Sequence, residues 1–409
     1  MKFIIAGAGI GGLSAALALA PQGHEIVVLE AVREIRQLGV GLNLLPHAAI
    51  ILKELGLLDE LRVQGIATRE LVYYTRHGQR IWAEPRGLFA GFPAPQISTS
   101  RGALQATLLH AAEARLGPAA IVRDRRLVSF ETIGDRVEAR FRDAAGHDHI
   151  ETGDVLIAAD GIHSAARAAT YPDEGAPIYS GRILWRATTR ARRFLTGSTM
   201  IMAGHQNQKF VAYPIEPEGD DGLQRINWVA ELTRAEMRRR EDWNREGDVA
   251  DFLPAFEPWS FDWLDVPAII RGAERVYEYP LVDRNPLPRW RSGRATLLGD
   301  AAHPMYPIGS NGASQAILDA KALATAFGAH SDAIAALDTY ETARRPATAA
   351  IVVANRANGP EQCMQLAEER APNGFKDIAE VFAPGELEGI AARYRALTGM
   401  RKAAEATVP

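Results

Sequence analysis

The residues best suited to chemistry in this 409-residue chain are turns, not acids or nucleophiles. Gly7, Gly9 and Gly12 form a G-x-G-x-x-G run in KFIIAGAGIGG, and Glu30 closes the stretch EIVVLE that follows. In this spacing the first glycine permits a tight turn, the second lets backbone approach a pyrophosphate, and the third lets a helix pack closely on a strand. A carboxylate at the end of the unit accepts hydrogen bonds from ribose hydroxyls. Two more turns of the same kind follow. Asp160-Gly161 ends VLIAA, and Gly299-Asp300 ends ATLL and leads through Pro307 into Gly309, Ser310, Asn311 and Gly312. One such turn serves the phosphates of a nucleotide, and three ask for a longer ligand with its own reactive group. The sequence has no G-x-S-x-G elbow. Its ten histidines form no H-E-x-x-H pair, and one cysteine leaves no Cys-rich zinc site, so no metal ligand is assigned. The chemistry is therefore expected to come from a bound cofactor that the protein orients.

Buried strands and capped helices must hold these turns. Phe3 to Ala6 is a continuous apolar run, as in a strand covered on both faces. A helix is expected from about Gly11 to Ala20, its first N–H groups facing the phosphates. SRGALQATLLHAAEARLG predicts a helix capped by Ser100 and stopped by Gly117. Leu104, Leu108 and Ala111 would form its core stripe, and Arg101 and Gln105, four apart, would share a face near its start. Gly39 and Gly41 precede a helix expected near Pro46, and glycines there let backbone approach a flat ring with no Cβ in the way. A helix from about Ala313 to Phe327 would aim its positive end back at the GSNG turn. Tyr340 to Arg356 reads as a long helix with a proline kink, in which Arg344 and Arg345 are expected to be surface or packing residues. Two short helices without assigned chemistry are expected after Asn358.

Composition bounds the rest. At about 150 residues per domain, the length suggests two or three units. Lys and Arg number 46 against 50 Asp and Glu, a net charge of -4 that argues against a nucleic-acid partner. Cys363 is expected to be a small apolar filler in a reducing compartment. No apolar run reaches the ~20 residues of a membrane span. The glycine-broken start of the chain reads as the first strand and helix and not as a signal peptide, so a cytoplasmic protein is expected.

Between Ala176 and Asp283 the pattern changes to strands. GRILWRATTRA, TMIMAGHQ, KFVAYPIEP and QRINWVAEL are rich in β-branched and aromatic residues, and ELVYYTRHGQRIWAEP adds a hairpin turning at His77-Gly78. An antiparallel sheet is expected, with Tyr213, Trp185 and Trp228 as aromatic candidates for a pocket wall.

The three turns, in this order, resemble the class A flavin monooxygenases, the para-hydroxybenzoate hydroxylase family, from Lys2 to Arg356. The resemblance implies a mixed α/β fold: a Rossmann-like FAD-binding domain (1–70, 100–175 and 286–360), a second domain on an antiparallel β-sheet (71–99 and 176–285), and a C-terminal helical segment (361–409). It implies FAD contacts from Arg101 and Gln105, and an adenosine-side or phosphate-side contact from Arg33, with Arg36 as the alternative. Asp160 and Gly161 would support the loop beside the pyrophosphate, and Asp300 would bond the ribityl chain. Val40, Gly41 and Leu42 would contact the ring through backbone, with Pro307 and Gly309 to Gly312 at its edge. No second dinucleotide fingerprint is present, so NAD(P)H is expected as a transient co-substrate, with O2 adding at the flavin C4a. The implied activity is hydroxylation of a small aromatic acid, a phenazine carboxylate or a hydroxybenzoate, with loss of CO2 where the attacked carbon carries a carboxylate. Tyr213 and Pro307 are the residues expected nearest the reaction. The rival readings are a flavin oxidase or dehydrogenase acting on an amine or alcohol, and a non-catalytic FAD-binding redox sensor. A monomer or homodimer is expected.

Overall fold

The computed structural model describes residues 1–35, 39–236 and 245–400. Its organising element is a five-stranded parallel sheet. Lys2–Ala6 lies at the centre, paired on one side with Glu25–Leu29 and on the other with Val155–Ala158. Ala295–Leu297 and Ile121–Val122 complete the two edges. Phe3, Ile4, Ile5 and Val155 to Ala158 are fully buried, as a strand covered by helices on both faces must be. Because all five strands run the same way, the turns after Ala6, Leu29, Ala158 and Leu297 emerge along one edge. Chain segments far apart in sequence are thus brought to one crevice, where open α/β sheets hold their ligands.

The helix Ile10–Leu19 is apolar nearly all round and packs on Gly312–Ala329. A Cβ on Gly11 would sit 2.7 Å from Leu298 Cδ2, so the glycine is what lets this helix approach the strand end. Arg101–Leu116 is capped by Ser100, whose hydroxyl accepts from Ala103 N, and ends at Gly117. Its buried stripe is completed by Ala112 and not by Ala111, which is only partly covered. One element has no counterpart in the sequence reading. Arg126–Ile133, Arg136–Arg142 and Asp148–Gly153 form a three-stranded meander inside the half built on the parallel sheet. The alternation in RVEARFR signals it, and Gly134 turns the first hairpin with φ 59°.

The second half is built on a seven-stranded sheet. Its spatial order is Ala273–Asp283, Ile178–Arg192, Leu223–Thr233, Gln208–Pro214, Thr199–His205, Glu70–Tyr74 and Arg80–Pro85. The expectation of antiparallel pairing holds except between Thr199–His205 and Glu70–Tyr74, which pair in parallel. These two strands are joined by a long excursion through the half built on the parallel sheet. Only a tight hairpin forces antiparallel order.

Successive side chains alternate between the two faces of a strand. One face carries Trp185, Phe210 and Trp228, packed with Phe252, Phe256 and Trp259 in a closed core. The opposite face carries Met200, Met202, Val211 and Tyr213. Trp185 and Trp228 are therefore core residues and not pocket walls; Trp185 stacks on Phe252 at 4.8 Å and donates to Glu278. The two helices after Asn358, Gln362–Arg370 and Glu386–Thr398, cover the Tyr213 face. Cys363 is buried among them, and burial pushes its thiol pKa well up. Among the described residues no helix is long and apolar enough to cross a membrane.

Candidate active site

The crevice at the strand ends is built largely from backbone. Gly7 holds φ 105° and donates to Leu29 O at 2.8 Å. A Cβ there would meet Ala159 O at 2.5 Å, and one on Gly12 would meet Gly7 O at 2.0 Å. Both glycines are required by the protein's own packing. Gly9 is different: its φ is -75°, open to any residue, and a Cβ would meet no protein atom within 4 Å. Glu30 is locked at the next turn, accepting from Ala8 N at 2.7 Å and Val32 N at 3.0 Å. Gln105 donates to Ala8 O at 2.9 Å, so the helix Arg101–Leu116 is tied to the glycine turn.

The other turns continue this edge. Asp160 Oδ2 accepts from Ala165 N at 2.7 Å, while its Oδ1 is buried with no hydrogen-bond partner among the described residues. Burial raises the carboxyl pKa. Gly161 follows with φ 80°. Asp300 is exposed within the turn Gly299–Ala301. Arg101 is the cation that feels it: burial lowers the guanidinium pKa, Asp300 opposes that, and Arg186 from the seven-stranded sheet adds to it. The charges of Asp300 and Arg186 thus both act on the Arg101 guanidinium.

At that junction Gly41 is clamped between its neighbours. Its N–H donates to Asn227 Oδ1 at 2.6 Å, and its carbonyl accepts from Arg186 Nη2 at 2.9 Å. A Cβ would come within 2.7 Å of Asn227 Cβ. Val40 is buried, and its carbonyl accepts from Arg101 N at 2.9 Å. Tyr213 is buried beside Arg186 and Asn227; burial pushes the phenol to about 12, so it is neutral throughout the working range of an enzyme. Pro307 is exposed at the start of the Ile308–Ser310 turn, where Gly309 and Ser310 have φ 66° and 58°. Asn311 is fully buried and Gly312 opens the helix Gly312–Ala329.

Two features escaped the sequence reading. Arg344, expected at the surface or in packing, is a buried ion-pair partner. Its Nε donates to Asp319 Oδ1 at 2.7 Å and its Nη2 to Gln315 Oε1 at 2.6 Å. Asp319 Oδ2 also accepts from His303 Nε2 at 2.6 Å and Gly299 N at 3.1 Å. An aspartate in the apolar run QAILDAKAL was the available signal. The second feature is Tyr394, from the last described helix. Its hydroxyl lies 2.8 Å from Asn311 Nδ2, 2.7 Å from Asn355 Oδ1 and 3.1 Å from Ile308 O. That helix buttresses the GSNG turn. Arg33, by contrast, stands out at the surface, where its Nε donates to Asp124 Oδ2 at 2.9 Å and water screens the pair. Arg36 lies outside the described residues.

Residues 1–355 match the family described as the FAD binding domain. The chain is 47% identical over 360 residues to the phenazine 1,6-dicarboxylic acid hydroxylase PhzS of Lysobacter antibioticus, covering 86% of this chain and 88% of that one. It is 31% identical over 361 residues to 3-hydroxybenzoate 6-hydroxylase 1 of Aquipseudomonas alcaligenes, with 87% and 88% covered. The crystal structure of a point variant of Klebsiella pneumoniae HpxO complexed with FAD superposes with a TM-score of 0.74 at 25% identity, over 98% of this chain and 94% of that one. With a parallel-sheet crevice beside a seven-stranded sheet, the chain belongs to the FAD-binding-domain family of class A flavin monooxygenases and is an FAD-dependent aromatic hydroxylase.

Proposed function

We propose that FAD lies along the strand-end edge and that an aromatic acid, a phenazine carboxylate before a hydroxybenzoate, is hydroxylated beneath the seven-stranded sheet. Gly7, Gly9 and Gly12 take the pyrophosphate, Glu30 the adenosine ribose, and Arg33 the adenosine side. Arg101 and Gln105 flank the cofactor, Asp160 and Gly161 support the phosphate loop, and Asp300 holds the ribityl chain. Val40 and Gly41 present backbone to the ring, with Pro307, Gly309, Asn311 and Gly312 at its other edge. The residues present fit such a group: Gly9 leaves room for a phosphate, and the helix starting at Gly312 offers unpaired N–H groups and a partial positive charge to an anionic ring. The observation that carries this reading is Gly41 clamped between Asn227 and Arg186, next to Val40, whose carbonyl accepts from Arg101 N at the strand-end edge.

FAD, when bound, supplies the electrons from NAD(P)H and the activation of O2. The protein's own part is to orient the substrate and exclude water, which would otherwise divert the oxidant to hydrogen peroxide. Tyr213, neutral to about pH 12, contributes a hydrogen-bonding hydroxyl at the substrate side of Gly41. The phenazine preference rests on the likeness to the phenazine 1,6-dicarboxylic acid hydroxylase. The reading also divides the chain as the sequence suggested, with 1–70, 100–175 and 286–360 binding the cofactor and 71–99 and 176–285 the substrate. Buried Cys363 fits a reducing cytoplasm, and a monomer or homodimer belongs to the same proposal.

The test is stopped-flow reduction of the holoprotein by NADH and by NADPH with phenazine-1-carboxylate, phenazine-1,6-dicarboxylate and 3-hydroxybenzoate. The expected result is faster reduction with a phenazine acid and a product heavier by one oxygen, or by one oxygen less CO2. Anaerobic bleaching of the flavin by an amine or alcohol alone, without NAD(P)H, would make the protein an oxidase or dehydrogenase instead.

A further inference from the structure

The turn before the helix Gly312–Ala329 is held from outside. Gly309 and Ser310 both have positive φ, 66° and 58°. A serine in that region is strained and persists only where its surroundings fix it. What fixes it comes from the last described helix, Glu386–Thr398. The Tyr394 ring is wedged against two glycines. A Cβ on Gly309 would collide with its hydroxyl, and one on Gly359 would lie 2.8 Å from its Cε2.

The hydroxyl is one link in a chain of hydrogen bonds that all point the same way. Arg344 Nη2 donates to Gln315 Oε1 at 2.6 Å. Gln315 Nε2 donates to Asn311 Oδ1 at 3.4 Å, the longest link. Asn311 Nδ2 donates to the Tyr394 hydroxyl at 2.8 Å, which donates in turn to Asn355 Oδ1 at 2.7 Å. Asn355 Nδ2 ends the chain on Tyr306 O at 2.9 Å. A guanidinium only donates and a carbonyl only accepts, so the two ends fix the direction of every amide between them. Bonds aligned head to tail also polarise one another. Burial and Glu361 raise the phenol pKa against Asn311 and Arg86, so the link stays protonated and neutral. The chain leaves the Asn311 side chain no spare donor, because Nδ2 also reaches Gly309 O at 3.2 Å. Backbone is what this turn can offer a ligand, and a Cβ on Gly312 would meet no protein atom within 4 Å.

We infer that Tyr394 is a positioning residue for the flavin chemistry: through Asn311 it fixes the direction in which the helix Gly312–Ala329 presents its first N–H groups. The inference rests on the reading that this turn borders the flavin ring. The partial positive charge of a helix start acts only within about one turn, so its aim matters to a ring that becomes anionic on reduction. The segment after Asn358 is then part of the flavin site and not only a cover for the seven-stranded sheet. Losing the Tyr394 hydroxyl lets the turn relax and weakens the site's preference for reduced flavin.

The experiment measures the midpoint potential of the bound FAD against a reference dye. Tyr394→Phe removes one oxygen and keeps the ring against Gly309 and Gly359. The preference for reduced over oxidised FAD should fall about tenfold, a drop of about 30 mV in the two-electron potential. Asn355→Ala removes the acceptor on the other side of the hydroxyl and should shift the potential the same way. It decides the matter if Tyr394→Phe does not fold. The double variant should shift no further than the larger single one, since both break one chain. Tyr171→Phe, which deletes a hydroxyl bonded to Arg289 O at 2.8 Å outside the turn, should leave the potential unmoved. Gly312→Ala tests the underlying reading separately, because its methyl can disturb flavin affinity and absorption only if the ring lies there. A Gly312→Ala protein with altered flavin, beside Tyr394→Phe and Asn355→Ala at the wild-type potential, overturns the role of Tyr394 alone. A Gly312→Ala protein with unchanged flavin takes the ring away from this turn and the inference with it.

Discussion

Gly9→Ala should purify as a folded and colourless protein. At Gly9 the backbone angle suits alanine, and the added methyl meets no protein atom within 4 Å. Folding stability should therefore change by no more than about 0.5 kcal/mol. On the proposed reading the same methyl stands where a pyrophosphate touches backbone, and flavin affinity should fall by at least ~100-fold, about 2.7 kcal/mol. Gly12→Ala supplies the contrast. Its Cβ would lie 2.0 Å from Gly7 O, a backbone atom that cannot swing aside. Overpacking of this kind costs about 1–3 kcal/mol or more, so this variant should lose stability and flavin together. The two substitutions separate cofactor contact from fold. Thermal unfolding by circular dichroism and the flavin-to-protein absorbance ratio read the two effects independently. A Gly9→Ala protein as yellow as the wild type would move the pyrophosphate away from this turn.

The same contrast explains what could be read from sequence. The strand-end turns were legible because their requirements are local: Gly7 needs a positive φ, Gly12 a missing Cβ, and Glu30 a place at a strand end. Once the strands are read as parallel, their convergence follows without further information. The faces of the seven-stranded sheet were less legible. Trp185 and Arg186 are neighbours in sequence and point opposite ways, and no local signal says which face meets the parallel-sheet half. The role of the last helix was not legible at all. Tyr394 and Arg395 act on Asn311 and Glu84, 83 and 311 positions away, and nothing in EGIAARYRALTG announces either partner. Asp319 was a missed signal of a different kind, a lone carboxylate in an apolar helix.

That carboxylate carries the second large effect. Asp319→Asn should cost about 3–5 kcal/mol, because it breaks a buried pair and strands the Arg344 guanidinium. It also turns an acceptor of three hydrogen bonds into a group that can present a donor to other donors. Burial disfavours the Asp319 anion, but His303 and Arg344 outweigh burial and hold the carboxyl at about 2, below its usual 3.8. A depressed carboxyl stabilises the fold fully above its unfolded value. The contribution, roughly 2 kcal/mol, is therefore complete above about pH 4 and lost as pH falls through about 2. The difference in urea midpoint between wild type and Asp319→Asn should shrink over that window and be constant above it. Because Asp319 Oδ2 also anchors Gly299 N, next to Asp300, the variant should release flavin more readily at neutral pH even where it is folded. Replacing both partners, Asp319→Leu with Arg344→Met, removes the stranded charge and should recover part of the stability but not the flavin, since Gly299 N loses its acceptor. A double variant that regains both would reduce the ion pair to a packing element with no part in shaping the cofactor turn.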